Sequence, residues 1–170
     1  MDQLLTIEAT GLCDDDVVRM IDEVQQEYVR RYGGPDDTVL GAEQFTPPSG
    51  SFVKAMLDGN AVGMGGWRVH ESGPHAEGLR AGDAEIKRMY VRSHARGRGV
   101  ARAVLDSIER SAVDAGRRRL VLETGLRQPE AIGLYTSSGY TPLTPKFGVY
   151  RDEEQSLCMV KELDNRAAQR

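Results

Sequence analysis

The chain lacks most of the features that mark a specialised protein. Two cysteines, Cys13 and Cys158, are too few for a disulfide framework, and no cluster of His or Cys carries metal-ligand spacing, so no metal is expected. No apolar run approaches the ~18 residues of a membrane span, which excludes a membrane partner of that kind. The opening stretch, MDQLLTIEATGLCDDD, has neither the basic start nor the long apolar core of a secretion signal, and the expected compartment is the cytoplasm. The net charge is -4, which argues against general nucleic-acid binding. No Gly-Lys pair occurs, so a P-loop is excluded, and Gly97-x-Gly99 is not followed by the third glycine of a dinucleotide fingerprint. No internal repeat or linker interrupts the chain.

What remains is an ordinary globular composition. Of 170 residues, 39% are hydrophobic and 28% charged, the size and balance of one domain with a real core. A single domain is expected over 1–163, followed by a polar tail over 164–170.

The chain is organised around Ala84–Ala115. Glu85, Ile86, Met89, Tyr90 and Val91 read as a strand. Ala101, Val104, Leu105, Ile108 and Ala112 fall on one helical stripe, with Arg102, Asp106, Glu109 and Arg110 on the other side. Arg96-Gly97-Arg98-Gly99-Val100-Ala101 joins the two. Glycines at such a junction allow a tight turn and close approach to a ligand. The first amides of the helix point outward with the positive end of its dipole behind them, which suits a phosphate or pyrophosphate. Lys87, Arg88, Arg92, Arg96, Arg98 and Arg102 add positive charge around this loop.

The flanking chain is compatible with an α/β domain. Leu4–Ala9 reads as a first strand, and Asp14, Asp15 and Asp16 open a helix that Gly33-Gly34-Pro35 stops. GAEQF within Asp36–Gly50 suggests a short helical turn. Ser51–Leu57 and Ala61–Val69 form a hairpin pattern about Asp58-Gly59-Asn60, and the glycines at 63, 65 and 66 imply close packing or a nearby ligand. Trp67 is a core residue or a pocket wall. His70–Gly82 is a polar loop whose histidines, His70 and His75, read as solvated. Gly116 caps the central helix, and Arg117–Glu123 is a buried-type strand. Pro129 starts a helix that Gly139 ends. Lys146–Arg151 is a loop or strand, and Ser156–Leu163 a closing strand.

Arg96-x-x-Gly99-x-Ala101, after a strand ending in Tyr-Val, resembles the acyl-CoA-binding signature of the GNAT N-acetyltransferase superfamily. Gln128, Ala131, Leu134, Tyr135, Gly139 and Tyr140 resemble the second signature of that family, with Gln128 where Asn is commoner. The resemblance covers roughly Ser51 to Leu163. It implies a mixed, mostly antiparallel twisted sheet of about six to seven strands, flanked by about four helices, with splayed central strands.

The resemblance also implies acetyl-CoA as co-substrate. Gly97, Arg98, Gly99, Val100 and Ala101 would hold its pyrophosphate, with Arg96 opening the motif. The backbone of Met89 and Val91 would pair with the pantetheine arm, an amide near Met89 or Tyr90 would meet the developing oxyanion, and Gln128 and Ala131 would flank the arm. Tyr135 stands where the family places its general acid. Glu85 is the candidate base, or a group that only holds the ammonium. The implied activity is acetyl transfer by direct attack of a primary amine, on a small molecule or a peptide, on the thioester. A non-catalytic acyl-CoA-binding module and a protein N-acetyltransferase stay open as alternatives, as do a homodimer and acyl groups other than acetyl.

Overall fold

The computed structural model describes residues 4–70 and 75–164; the middle of the His70–Gly82 loop and the tail beyond Asp164 lie outside the described residues. Seven strands form one sheet in the order β1-β2-β3-β4-β5-β7-β6. They are β1 Leu5–Thr10, β2 Gly50–Leu57, β3 Asn60–Val69, β4 Ala84–Val91, β5 Arg119–Gly125, β6 Thr141–Pro142 and β7 Ser156–Glu162. Every neighbouring pair is antiparallel except β4 and β5. Among the described residues three α-helices flank it, α1 Asp15–Tyr32, α2 Val100–Asp114 and α3 Pro129–Ser137, rather than about four. The shortfall has a local cause. AEQF (Ala42–Phe45) and Ser93–Ala95 wind only into single 3₁₀ turns.

Two apolar layers fix the elements. Val104, Leu105, Ile108 and Ala112 of α2 pack on the face of the sheet that carries Trp67, Ala84, Ile86, Leu120 and Leu122. On the opposite face α1 buries Val17, Met20 and Val24 against Phe52, Ala61 and Met64. Strand alternation places Val121 on that second face, where Phe147 and Cys158 cover it.

Caps agree with the sequence. The Asp14 carboxylate accepts hydrogen bonds from the amides of Asp16 (2.9 Å) and Val17 (3.2 Å), a contact worth ~1 kcal/mol. Gly33 closes α1 in the left-handed region. Trp67 is core. Its indole N–H donates to Ser111 Oγ at 2.8 Å and ties β3 to α2. The β3 glycines serve close packing, since a Cβ on Gly65 would lie 2.6 Å from Met89 Sδ, and one on Gly66 2.5 Å from the Ser51 carbonyl.

Candidate active site

The parallel contact between β4 and β5 is short. The strands pair only at Ala84↔Leu120 and Glu85↔Val121, and then diverge. The divergence opens a cleft of about 370 Å³, with Ile86–Val91 on one wall and Thr124, Gln128, Ala131, Leu134 and Tyr135 on the other. Beyond Glu85, the β5-facing edge of β4 has unpaired backbone groups, the condition for adding an extended ligand as a further strand.

A bulge shapes the β4 wall. The β3–β4 register passes from Met64↔Tyr90 to Gly66↔Lys87, so Arg88 and Met89 together oppose Gly65. Arg88 takes the left-handed conformation, φ 58°, a state that costs a side-chain-bearing residue ~1–3 kcal/mol. Its guanidinium finds compensation in an ion pair with Asp36 and a contact with the Thr38 carbonyl. Burial works to raise the Asp36 pKa, but the hydroxyl and amide of Thr38, with Arg88, hold it below the ordinary value.

One end of the cleft is made of backbone. Gly97 and Gly99 both adopt positive φ, 74° and 79°, and space is open where a Cβ would stand. Gly99 precedes α2, so the amides of Val100, Ala101 and Arg102 have no acceptor within the helix. Val100 turns its side chain into the core, which leaves only its amide for a ligand. Arg96 lines the cleft, yet its guanidinium is used locally: Nε donates to the Val91 carbonyl at 2.9 Å, and Nη2 pairs with Glu27 at 3.1 Å. That clamp holds the loop against β4. Arg98 is exposed and stands outside the cleft wall, whereas Arg102 lines it and donates to Ser137 and Ser138.

The other end is made of side chains. Tyr135 on α3 is 5% exposed, and its ring meets Tyr140 edge-on at 5.5 Å. Its hydroxyl makes no hydrogen bond among the described residues, and burial raises its pKa, so the proton is retained at neutral pH. Gln128, the N-cap of α3, donates to Tyr32 Oη at 3.3 Å. Met89, Tyr90, Val91, Ala101 and Ala131 join Tyr135 and Gln128 on the wall of this one cleft.

Glu85 is set apart from them. It is buried and outside the cleft wall, with Oε1 2.8 Å from Lys87 Nζ and Oε2 3.4 Å from Arg68 and 3.5 Å from His70. His70 is thus packed on Glu85 and on the Phe147 ring, not simply solvated. The residue that sequence reasoning missed is Glu123. It lines a second cavity of about 400 Å³ that shares Tyr28, Asp36, Thr124 and Gln128 with the first. Burial, aided by the charges of Glu85 and Asp36, pushes the Glu123 pKa up to about 7 against the opposing effect of Lys87. Nothing local announced it, because Arg117–Glu123 carries only a strand pattern and the partners of Glu123 come from four other segments.

A helix N-terminus open to anions, beside a split sheet, agrees with the profile of the acetyltransferase (GNAT) family, which matches residues 17–140. The chain belongs to that family. This GNAT acetyltransferase is 33% identical over 159 residues to an IAA acetyltransferase from Azospirillum brasilense, covering 94% of this chain and 98% of the relative. A Klebsiella pneumoniae structure, provisionally named an acyl-CoA N-acyltransferase, superposes with a TM-score of 0.73 at 27% identity, over 95% of this chain and 99% of that one. The fold is also that of a Salmonella typhimurium protein, provisionally named an acetyltransferase and solved with acetyl-CoA (TM-score 0.69, 19% identity, 96% of each chain). No described helix of this enzyme is long and apolar enough to cross a membrane.

Proposed function

We propose that this acyltransferase moves an acetyl group from acetyl-CoA to a primary amine by direct attack on the thioester. The observation that carries the proposal is the split between β4 and β5, which ends at a glycine turn and an open helix N-terminus. A diphosphate fits there, since open space stands where Cβ atoms at Gly97 and Gly99 would be and the amides of Val100 to Arg102 lack helical acceptors.

When bound, acetyl-CoA supplies the activated acyl thioester. The amides of Gly97–Ala101 hold its diphosphate, and the free edge of β4 from Met89 to Val91 aligns the extended arm. Gln128 and Ala131 close the opposite wall. A backbone N–H at the bulge faces the developing oxyanion, where a fixed dipole is worth most in a dry cleft. The Tyr135 hydroxyl donates a proton to the departing sulfur. Because a thiol has pKa ~8.5, this assistance is moderate. Glu85 acts through Lys87, which it holds at the cleft edge.

Isothermal titration with CoA, followed by an assay across primary amines and basic peptides, tests the reading. Micromolar-range CoA binding with amine-dependent release of free thiol is the expected result. CoA binding without transfer to any amine would reduce the protein to a binding module, and absent CoA binding would remove the site assignment.

A further inference from the structure

The proposed chemistry leaves one proton without an acceptor. An alkylammonium near pKa ~10.4 must lose a proton before its nitrogen can attack. Glu85 does not line either cavity, and both of its oxygens are held by Lys87, Arg68 and His70. The second cavity adjoins the acyl cleft through Tyr28, Asp36, Thr124 and Gln128, and no residue of the glycine turn lines it.

Resting on the reading above, we infer that Glu123 is the carboxylate that seats the acceptor's ammonium and takes its proton, and that the acceptor is a cationic primary amine on an apolar or aromatic body. The Glu123 carboxylate is built in place. Ser156 Oγ donates to Oε2 at 3.4 Å, and a Cβ on Gly148 (φ 88°) would stand 2.9 Å from the same oxygen. The positive φ favours glycine at position 148. Among the described residues neither Glu123 nor Glu153 on the cavity wall is in an ion pair with a cationic side chain, whereas Asp36 is bound by Arg88. The rings of Tyr28, Tyr32 and Tyr150 share the wall, and aromatic faces favour both a cation and an apolar body.

The charged and titratable surroundings of Glu123 are mixed. From β4 come Glu85 and Lys87, from the segment after α1 Asp36, and from β7 Ser156 and Cys158. The segment between β6 and β7 adds Tyr150, Glu153 and Lys146, whose ammonium donates to the carbonyls of Glu153 and Ser156. From α1 come Tyr28, which burial pushes up to about 12, and Tyr32, and Arg127 at the rim donates to the Arg31 carbonyl. Burial pushes Glu123 up to about 7, where it can accept a proton and release it again.

The step balances. The nitrogen sheds one proton to Glu123, directly or through one water, and the neutral amine adds to the thioester carbonyl to form the C–N bond and an oxyanion. As the oxyanion collapses the C–S bond breaks, Tyr135 gives its proton to the departing sulfur, and the nitrogen's second proton returns through solvent to the Tyr135 oxygen. Glu123 then returns its proton to water.

The test uses the full chain saturated with CoA, titrated with 2-phenylethylamine as probe. Amine affinity should rise at least tenfold between pH ~5.5 and pH ~8.5, since a charge-assisted contact is worth ~1.5–3 kcal/mol and exists only when Glu123 is ionised. That rise should vanish in Glu123→Gln and persist in Glu85→Gln, with CoA affinity unchanged in Glu123→Gln. Carbon-13 NMR of glutamate-labelled protein should show one carboxyl titrating near 7, absent from Glu123→Gln and shifted by the amine. In the transfer assay Glu123→Gln should lose about 10²-fold in kcat and the acidic limb of its pH profile. An unchanged pH dependence of amine binding in Glu123→Gln, or a neutral-range carboxyl that ignores the amine in the wild-type protein, would overturn the inference. The NMR titration of the wild-type chain decides the matter even if the variant fails to fold. Loss of CoA binding by the wild-type protein would instead remove the acyl-CoA reading itself.

Discussion

The two ends of the cleft are built on opposite principles. The glycine-turn end offers main-chain amides from one contiguous stretch, Gly97 to Arg102, while Val100 turns into the core and the Arg96 guanidinium is held by Val91 and Glu27. The proposed acceptor end offers side chains from α1, β5, the Gln128 cap before α3 and the segments around Asp36 and Tyr150. In the proposed reading, backbone amides would recognise what all acyl-CoA ligands share. Side chains from dispersed segments can change one at a time, and so the acceptor can vary without touching the phosphate site.

The largest expected effect breaks the backbone end alone. Gly99→Val should weaken CoA binding by about 10³-fold, because losing two charge-assisted contacts of ~2 kcal/mol each amounts to that factor. The positive φ at Gly99, 79°, also resists a β-branched residue, by ~1–2 kcal/mol of stability. Titration calorimetry, with melting curves to confirm folding, checks both. A CoA affinity equal to wild type would move the phosphate site elsewhere.

Tyr135→Phe comes next and acts at the acceptor end. It should lower kcat about 10²-fold with little change in CoA affinity, the signature of an interaction made mainly in the transition state. The ring contact with Tyr140 survives the change. Full activity across the pH range would assign the leaving-group proton to solvent.

The two carboxylates sharpen the comparison further. Glu85→Gln strands Lys87 and Arg68 beside a neutral amide in a buried site, and should cost about 3 kcal/mol, or ~6–12 °C in Tm for a chain of this size. Glu123→Gln should do the reverse. The Glu123 pKa of about 7 lies above its ordinary 4.5, so between those values the folded protein holds a proton that the unfolded chain has lost. Stability is therefore drained as pH rises through that window, and the full cost remains above it. Replacing the carboxyl by an amide should raise Tm by about 2–6 °C at pH ~8, after discounting for solvent, and by almost nothing at pH ~4.5. Thermal melts at both pH values measure it. A gain at low pH only would reverse the assigned sign.

The smallest effect lies outside both ends. Ser111→Ala removes the acceptor of the buried Trp67 indole N–H, and should cost about 1–2 kcal/mol with activity intact at permissive temperature. Differential scanning calorimetry and the transfer assay together check it.

How much of this was legible follows from the range of the forces involved. Binary pattern, caps and turn residues act over a few neighbours, and they marked α1, α2, α3 and six strands to within about two residues. β6 escaped because Thr141–Pro142 is a strand only by virtue of its pairing with Val160 and Met159. The glycine turn before α2, the proposed phosphate end, was legible for the same reason as the helices. A glycine at positive φ before an open helix terminus is a local property of consecutive residues.

The acceptor end was not. Glu85 and Glu123 are both carboxylates within strands, and nothing in their own segments separates them. Only the packed sheet decides that Glu85, itself off the cleft wall, meets Lys87, Arg68 and His70, while the divergence of β5 from β4 leaves Glu123 against Gly148 on the wall of the second cavity. The sequence by itself determined the elements, the family and the glycine turn that opens α2. Tertiary structure decided which carboxylate faces the cavity and which is tied into ion pairs, because desolvation and ion pairing depend on neighbours that are distant along the chain.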